Sequence, residues 1–185
     1  MGEIKNKRGM VLEIKVIAAL CVRNEEWILP RTLDILNIFC DKIIILDDNS
    51  TDKTKEICLS YDSVDYEDWP PRDNMILRQE GLRKQRNIDR VKEYNPDYVF
   101  FLDADEIPTP NIIDFLNFIS NDPEASKKNL WTFPWYHLWQ DENHYRVDAF
   151  RSGASLITFD PFDGGQRKRF LTKYNPNWPL SYDIS

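Results

Sequence analysis

The run from Lys42 to Leu46 is nearly all isoleucine. A strand with one face in water alternates apolar and polar residues. An unbroken β-branched run belongs instead to a strand covered on both faces, as in a parallel sheet packed between helices. The flanking segments agree with that layering. A strand is expected from Glu13 to Cys21, then a helix from near Pro30 to about Phe39 that buries Leu33, Leu36 and Phe39. After the isoleucine run, Ser50 or Thr51 caps a helix reaching about Tyr61. The acidic stretch from Asp62 to Asn74, with Pro70-Pro71, reads as a loop, with a short strand at Met75 to Leu77. A basic helix from Gly81 to about Tyr94 leads into a fourth strand at Tyr98 to Phe101. Thr109-Pro110 opens a further helix with Ile112, Leu116 and Ile119 as its buried stripe. Strands alternating with helices over some 120 residues imply a mostly parallel α/β sheet with right-handed crossovers.

Beyond Asp122-Pro123 the texture changes. Leu130 to Trp139 is dense in aromatics, Tyr145 to Phe150 and Ser155 to Phe159 read as strands, and the tail from Asp160 is polar and rich in turns. At 185 residues a single domain is expected, with a first half over about 11–122 and a second over about 123–185. A net charge of −7 argues against a nucleic-acid-binding surface. Cys21, Cys40 and Cys58 are odd in number and sit in apolar segments, so reduced thiols of a cytoplasmic protein are expected. Glu13 and Lys15 interrupt the apolar run from Met10 to Val22, which rules it out as a signal peptide, and no run reaches the length of an integral membrane segment.

In parallel sheets, ligands bind outside the carboxyl ends of the strands. Three strands here end in polar clusters: Arg23-Asn24-Glu25, Asp47-Asp48-Asn49-Ser50, and Asp103-Ala104-Asp105-Glu106. Three carboxylates where a strand leaves the core are costly unless a cation joins them. Asp103 and Asp105 are two residues apart, a spacing that suits Mg²⁺ or Mn²⁺ completed by phosphate oxygens. Neither a Gly-x-Gly-x-x-Gly loop nor a Walker loop is present, so a dinucleotide or P-loop cradle is not expected. Asp47 and Asp48 are candidates for hydrogen bonds from a base or ribose, and Arg86, on the helix with Arg83, Lys84 and Arg90, is the candidate cation for a diphosphate.

These pieces resemble family 2 glycosyltransferases of the GT-A fold. The resemblance runs from Val16 to about Pro108. It rests on Arg23-Asn24-Glu25-Glu26, on the run from Ile45 to Thr54, on Gln85-Arg86-Asn87, and on Phe101-Leu102-Asp103-Ala104-Asp105-Glu106. The Asp-Ala-Asp-Glu form is similar to the branch with lipopolysaccharide-core glucosyltransferases. The resemblance implies a Rossmann-like sheet flanked by helices, followed by a smaller, aromatic-rich acceptor portion. It implies transfer of a sugar from a nucleotide-diphosphate donor, UDP-sugars favoured, to a glycan, glycolipid or protein hydroxyl, with inversion and with Mn²⁺ or Mg²⁺. Carried onto this chain, Val22, Arg23, Asn24 and Glu25 line the nucleotide pocket, and Asp47 and Asp48 meet the base and ribose. Arg86 and Ala104 lie near the donor, and Asp103 and Asp105 surround the metal.

Such enzymes take their general base from an acidic pair downstream, commonly Glu-Asp. No Glu-Asp follows Asp105, leaving Asp141, Glu142 and Asp148, with Asp163 as a further alternative. Trp131, Trp135, Tyr136 and Trp139 read either as a wall for sugar rings or as core, and His137 and His144 either as metal ligands or as structural residues. Residues 164–169 read as a flexible surface loop or a cationic lid. The short second half, with part of the acceptor portion missing or supplied by a partner, keeps a rival open: a truncated nucleotide- or glycan-binding domain without turnover. A sugar-1-phosphate nucleotidyltransferase is the other rival, although Arg23-Asn24-Glu25 lacks the glycine-rich loop it requires. A peripheral association with a membrane is compatible with a glycolipid acceptor.

Overall fold

The structure is a computed structural model that describes residues 14–70, 76–128, 130–139, 141–145, 155–157 and 167–174. Its backbone is a nine-stranded sheet with helices on both faces. Strands β1 (Val16–Val22), β2 (Lys42–Asp47), β3 (Val64–Asp68) and β4 (Tyr98–Asp103) are parallel and lie in the order β3-β2-β1-β4. Beyond β4 the order continues through β9 (Arg167–Lys173), β6 (Leu130–Trp139) and β8 (Ser155–Ile157) to β5 (Glu106–Pro108), and β7 (Asp141–Tyr145) pairs with β6.

The isoleucine run behaves as its composition requires. Ile43 and Ile45 face one layer with Val16, Ala18, Leu20 and Phe100, while Ile44 faces the other with Ile17, Ala19 and Val99. Helix α1 (Leu29–Phe39) covers the first face with Leu29, Leu33, Leu36 and Phe39, repeating at helical spacing; Pro30 sits in its first turn, where a missing N–H breaks no bond. Helix α4 (Ile112–Asn121) joins it through Ile112, Phe115, Leu116 and Ile119. Helix α3 (Ile76–Tyr94) covers the opposite face with Val91, packed by Tyr94. Helix α2 (Thr54–Leu59) is a single short turn-and-a-half that buries Cys58.

Four expectations change. The supposed loop after Asp62 contains β3, and its acidic residues are tolerated because α3 brings arginines to them: the buried Arg90 donates to the Ile45 carbonyl (2.9 Å) and the Asp65 carbonyl (2.6 Å) and pairs with the Asp65 carboxylate (2.8 Å). The strand expected at Met75 to Leu77 is the start of α3 at Ile76 and Leu77; Met75 lies outside the described residues. Helix α2 starts at Thr54, later than a Ser50 or Thr51 cap allows, because those two side chains are engaged elsewhere. Arg167, Lys168 and Arg169, read as loop, form β9 between β4 and β6, where pairing with distant strands overrides local composition. Of the strand expected at Tyr145 to Phe150, Tyr145 is the last residue of β7, and 146–150 lie outside the described residues. Leu130–Trp139 is a strand throughout, as expected.

β9 runs antiparallel to both β4 and β6, so β6 points the same way as β4. Phe100 pairs with Leu171, which pairs with Trp131. From that level β4 continues three residues to Asp103 and β6 eight residues to Trp139. The β6–β7 hairpin therefore overshoots the carboxyl edge of the parallel strands by about five residues, ~16 Å of strand.

Candidate active site

Register aligns the ends of the central strands. Val22 pairs with Asp47 and Cys21 with Asp103, so residues 23–26, 48–54 and 103–106 leave three adjacent strands at one edge. With strands ~4.8 Å apart, the ends of β2 and β4 lie about 10 Å apart across β1.

The first two turns are clasped together. Asn24 and Asn49 adopt φ of 54° and 59°, the left-handed region that asparagine tolerates best after glycine. The Asn24 amide donates to Ser50 Oγ (2.9 Å), and Asn24 Oδ1 accepts from the Thr51 amide (2.8 Å). The Glu25 amide donates to Thr54 Oγ1 (2.8 Å). The Glu26 amide donates to Asp52 Oδ2 (3.0 Å), and Glu26 Oε2 accepts from the Lys53 amide (2.9 Å). Asp52 also accepts from the Thr54 amide, the first of α2, at 3.0 Å. Burial pushes the Asp52 carboxyl up, but hydrogen bonds from Thr54 and Glu26 outweigh it and hold the group below the usual carboxylate range. Val22 lies beneath this clasp, its carbonyl accepting from the Asp48 amide at 2.9 Å.

The paired aspartates after β2 have different surroundings. Asp47 is 1% exposed; its Oδ1 accepts from the Ser50 amide (2.8 Å) and hydroxyl (2.7 Å), and its Oδ2 from the Tyr66 hydroxyl (2.8 Å). Burial, Asp68 and Asp47 push the Tyr66 phenol well above its usual range, so it remains a donor. Asp48, 4% exposed, forms an ion pair with Arg83 of α3, and Arg23 approaches it at 3.7 Å. Arg86 is directed to β3, donating from Nε and Nη2 to the two Glu67 oxygens at 2.8 and 2.6 Å. Sequence reasoning singled out Arg86 and passed over Arg83. The available signal was helical phase: Arg83, Asn87 and Arg90 share a face, and Asn87 and Arg90 are buried, Asn87 Nδ2 donating to the Leu20 carbonyl at 2.9 Å.

The turn after β4 is held from below. Glu106, buried at the start of β5, accepts from the Asp103 amide at 2.9 Å. The buried Ala104 offers its carbonyl to Thr32 Oγ1 of α1 (2.7 Å). Asp103 is exposed and Asp105 half-buried. Burial raises the Glu25 carboxyl, with Asp105, Asp52 and Asp103 adding to the rise, so these carboxylates share one electrostatic neighbourhood. Among the described residues no group of three or more His, Cys, Asp or Glu side chains is arranged to hold a metal ion. The donor set nevertheless fits a hard divalent cation, which takes one or two carboxylates and completes its shell with phosphate and water.

Cys21, beside this edge, accepts from Asn87 Nδ2 at 3.3 Å, and burial pushes its thiol up to about 11. All three cysteines are free thiols. Trp131 packs edge-on against Phe115 at 5.0 Å between centroids, with Lys128 over its ring at 4.6 Å, and so belongs to the core. Trp135, Tyr136 and His137 lie on β6 opposite Ile157, Leu156 and Ser155 of β8, and Trp139 ends β6. Asp141, Glu142 and His144 lie on β7. Asp148 and Asp163 fall outside the described residues, as do 164–166. No helix among the described residues is long and apolar enough to cross a membrane.

Comparison with known proteins gives the following. An uncharacterized protein of Mycobacterium tuberculosis is 33% identical over 176 residues, 91% of this chain and 42% of that protein, and one of Mycobacterium bovis matches to the same extent. The chain thus spans less than half the length of the curated relatives it matches. Among solved structures, S. aureus TarS superimposes with a TM-score of 0.50 at 17% identity, over 63% of this chain and 21% of that one. Glucosyl-3-phosphoglycerate synthase from Mycobacterium tuberculosis, solved with Mn²⁺, UDP and phosphoglyceric acid, gives a TM-score of 0.45 at 20% identity, over 64% of this chain and 42% of that one. The architecture is the GT-A, Rossmann-like arrangement. The family described as glycosyl transferase family 2 matches residues 18–160, which take in all three polar turns, and the chain belongs to that family.

Proposed function

We propose that this domain transfers a sugar from a nucleotide-diphosphate-sugar, a UDP-sugar by preference, to an acceptor hydroxyl by a metal-assisted, inverting displacement. The observation that carries the reading is the alignment of the three strand ends, which sets an ion-paired buried aspartate, a polar clasp and an exposed carboxylate turn side by side on one edge. Asp48, ion-paired with Arg83 and approached by Arg23, is the carboxylate that accepts N–H groups of the base. Asp47 shapes the turn that presents it. Arg23, Asn24 and Glu25, with Val22 and Ala104 beneath, form the walls of the pocket.

Asp103 and Asp105 would hold Mn²⁺ or Mg²⁺, which supplies Lewis-acid stabilisation of the departing diphosphate. Arg86 reaches that diphosphate by exchanging Glu67 for phosphate, an exchange its 43% side-chain exposure permits. The acceptor hydroxyl loses its proton to a carboxylate on the opposite face of the sugar, and Asp141, Glu142 and Asp148 remain the candidates. The overshoot of the β6–β7 hairpin beyond the carboxyl edge supports Asp141 and Glu142. The glycan, glycolipid or protein identity of the acceptor lies with the whole protein.

The test is release of sugar from a panel of nucleotide-sugars, with and without Mn²⁺. Turnover of a UDP-sugar that needs the metal and falls at least a hundredfold in Asp105→Asn is expected. Nucleotide binding without any donor cleavage would favour the binding-domain reading instead.

A further inference from the structure

Trp27 stands in the turn between β1 and α1 with 60% of its surface exposed, the most exposed of the described aromatic side chains. Exposure alone says nothing, since single apolar side chains on a surface are ordinary. Its position is what matters. The next residue, Ile28, packs on Ile107 of β5, directly after the carboxylate turn. Five residues on, Thr32 donates to the carbonyl of Ala104, between the two aspartates. Residues 25–32 are therefore strapped to residues 103–107 by a side-chain hydrogen bond and an apolar contact. Glu25, two residues before Trp27, adds its carboxylate, which lies within electrostatic reach of Asp105 and Asp103 and hydrogen-bonds with the Trp27 side chain.

The result is an open indole beside a row of carboxylates. That pairing matches a pyranose, which presents a face of C–H groups to an aromatic ring and a rim of hydroxyls to acceptor oxygens. A peptide or lipid partner would call for a wider apolar surface than one ring among acids. We infer that Trp27 is a stacking platform for a pyranose ring at the Asp103–Asp105 edge, with Glu25 as a hydroxyl acceptor. The inference rests on the glycosyl-transfer reading for its ligand class. It adds a residue that touches sugar rather than nucleotide.

The experiment uses the whole chain labelled with 5-fluorotryptophan, the Trp27 resonance being assigned by its loss in Trp27→Phe. Three probes are titrated: methyl pyranosides alone, UDP-glucose with Mn²⁺, and UDP with Mn²⁺. A saturable shift with a methyl pyranoside places the acceptor ring on Trp27, and a shift with UDP-glucose but not UDP places the donor ring there. Either result supports the platform. In the supported case Trp27→Ala weakens sugar binding at least tenfold, Trp27→Phe retains part of it, and the melting shift induced by UDP and Mn²⁺ persists in both. No shift with any probe, or equal shifts with UDP and UDP-glucose and none with a methyl pyranoside, overturns the inference. Loss of the UDP-induced melting shift in Trp27→Ala also overturns it, by moving Trp27 into the nucleotide pocket. The proposed function itself fails separately, if no nucleoside diphosphate with Mn²⁺ moves the wild-type melting temperature.

Discussion

The turns that follow β2 and β4 are both acidic and both lie at the same edge, yet their acids are used differently. After β2, Asp47 and Asp52 accept hydrogen bonds from backbone amides and hydroxyls, closing one loop on itself and on the loop after β1. After β4, one buried acid, Glu106, holds the Asp103 amide, while the Asp103 carboxylate stands exposed and that of Asp105 half-exposed. Acidity in sequence therefore marks two roles. Carboxylates that accept from backbone amides build the turn after β2, and in the proposed function the more exposed pair at the crest after β4 meets the ligand.

That division can be broken by substitution. The largest effect is expected at Asp47. Asp47→Ala strands the Ser50 amide and takes the acceptor from the Ser50 hydroxyl, and should lower stability by about 3 kcal/mol, read as a shift in urea midpoint. Asp103→Asn should change stability by no more than about 0.5 kcal/mol. Equal losses at the two sites would erase the distinction. Asp52→Ala is intermediate. It removes the acceptor of the Thr54 amide at the start of α2 and of the Glu26 amide in the clasp, and about 1–2 kcal/mol is expected.

The smallest effect is electrostatic and concerns β3. The Arg86 hydrogen bond, with Arg90 adding to it, holds the Glu67 carboxyl below its ordinary 4.5, against burial and Asp65. A carboxyl lowered on folding adds stability above its unfolded value and loses it as pH falls through the folded one. Asp68, lowered by Lys55 and Tyr66, and Asp122, lowered by the Ala125 and Glu124 amides, act in the same direction. Glu67→Gln should flatten the loss of stability below about pH 4.5 by roughly 0.5 kcal/mol, the scale of a partly exposed pair. An unchanged acid limb would remove Glu67 from the account.

Much of the fold was legible where local pattern and tertiary setting agree. The isoleucine run, the α1 stripe and the aromatic β6 each carry the periodicity or density of their element. β3 was hidden because Asp65 and Glu67 look like loop residues until α3 supplies Arg90 and Arg86. β9 was hidden because three consecutive cations, Arg167, Lys168 and Arg169, give no sign of the two distant strands that flank it. At the site, the three clusters and their common edge were readable from strand order. Arg83 was not, because which helical arginine meets Asp48 depends on the rotation of α3 over the sheet. Nor could sequence separate Asp47 from Asp48, adjacent residues whose side chains meet a tyrosine and an arginine from different elements.

The central claim is that the edge formed by β2, β1 and β4 is a metal-dependent nucleotide-diphosphate site. The most direct test is the melting temperature of the wild type and of Asp105→Asn against UDP, GDP, ADP and CDP, each with and without Mn²⁺. A ligand at a hundred times its dissociation constant adds about 2.7 kcal/mol, readily seen as a melting shift. The account predicts a shift with UDP that requires Mn²⁺ and is lost in Asp105→Asn. A wild type that melts at one temperature under every condition would contradict it.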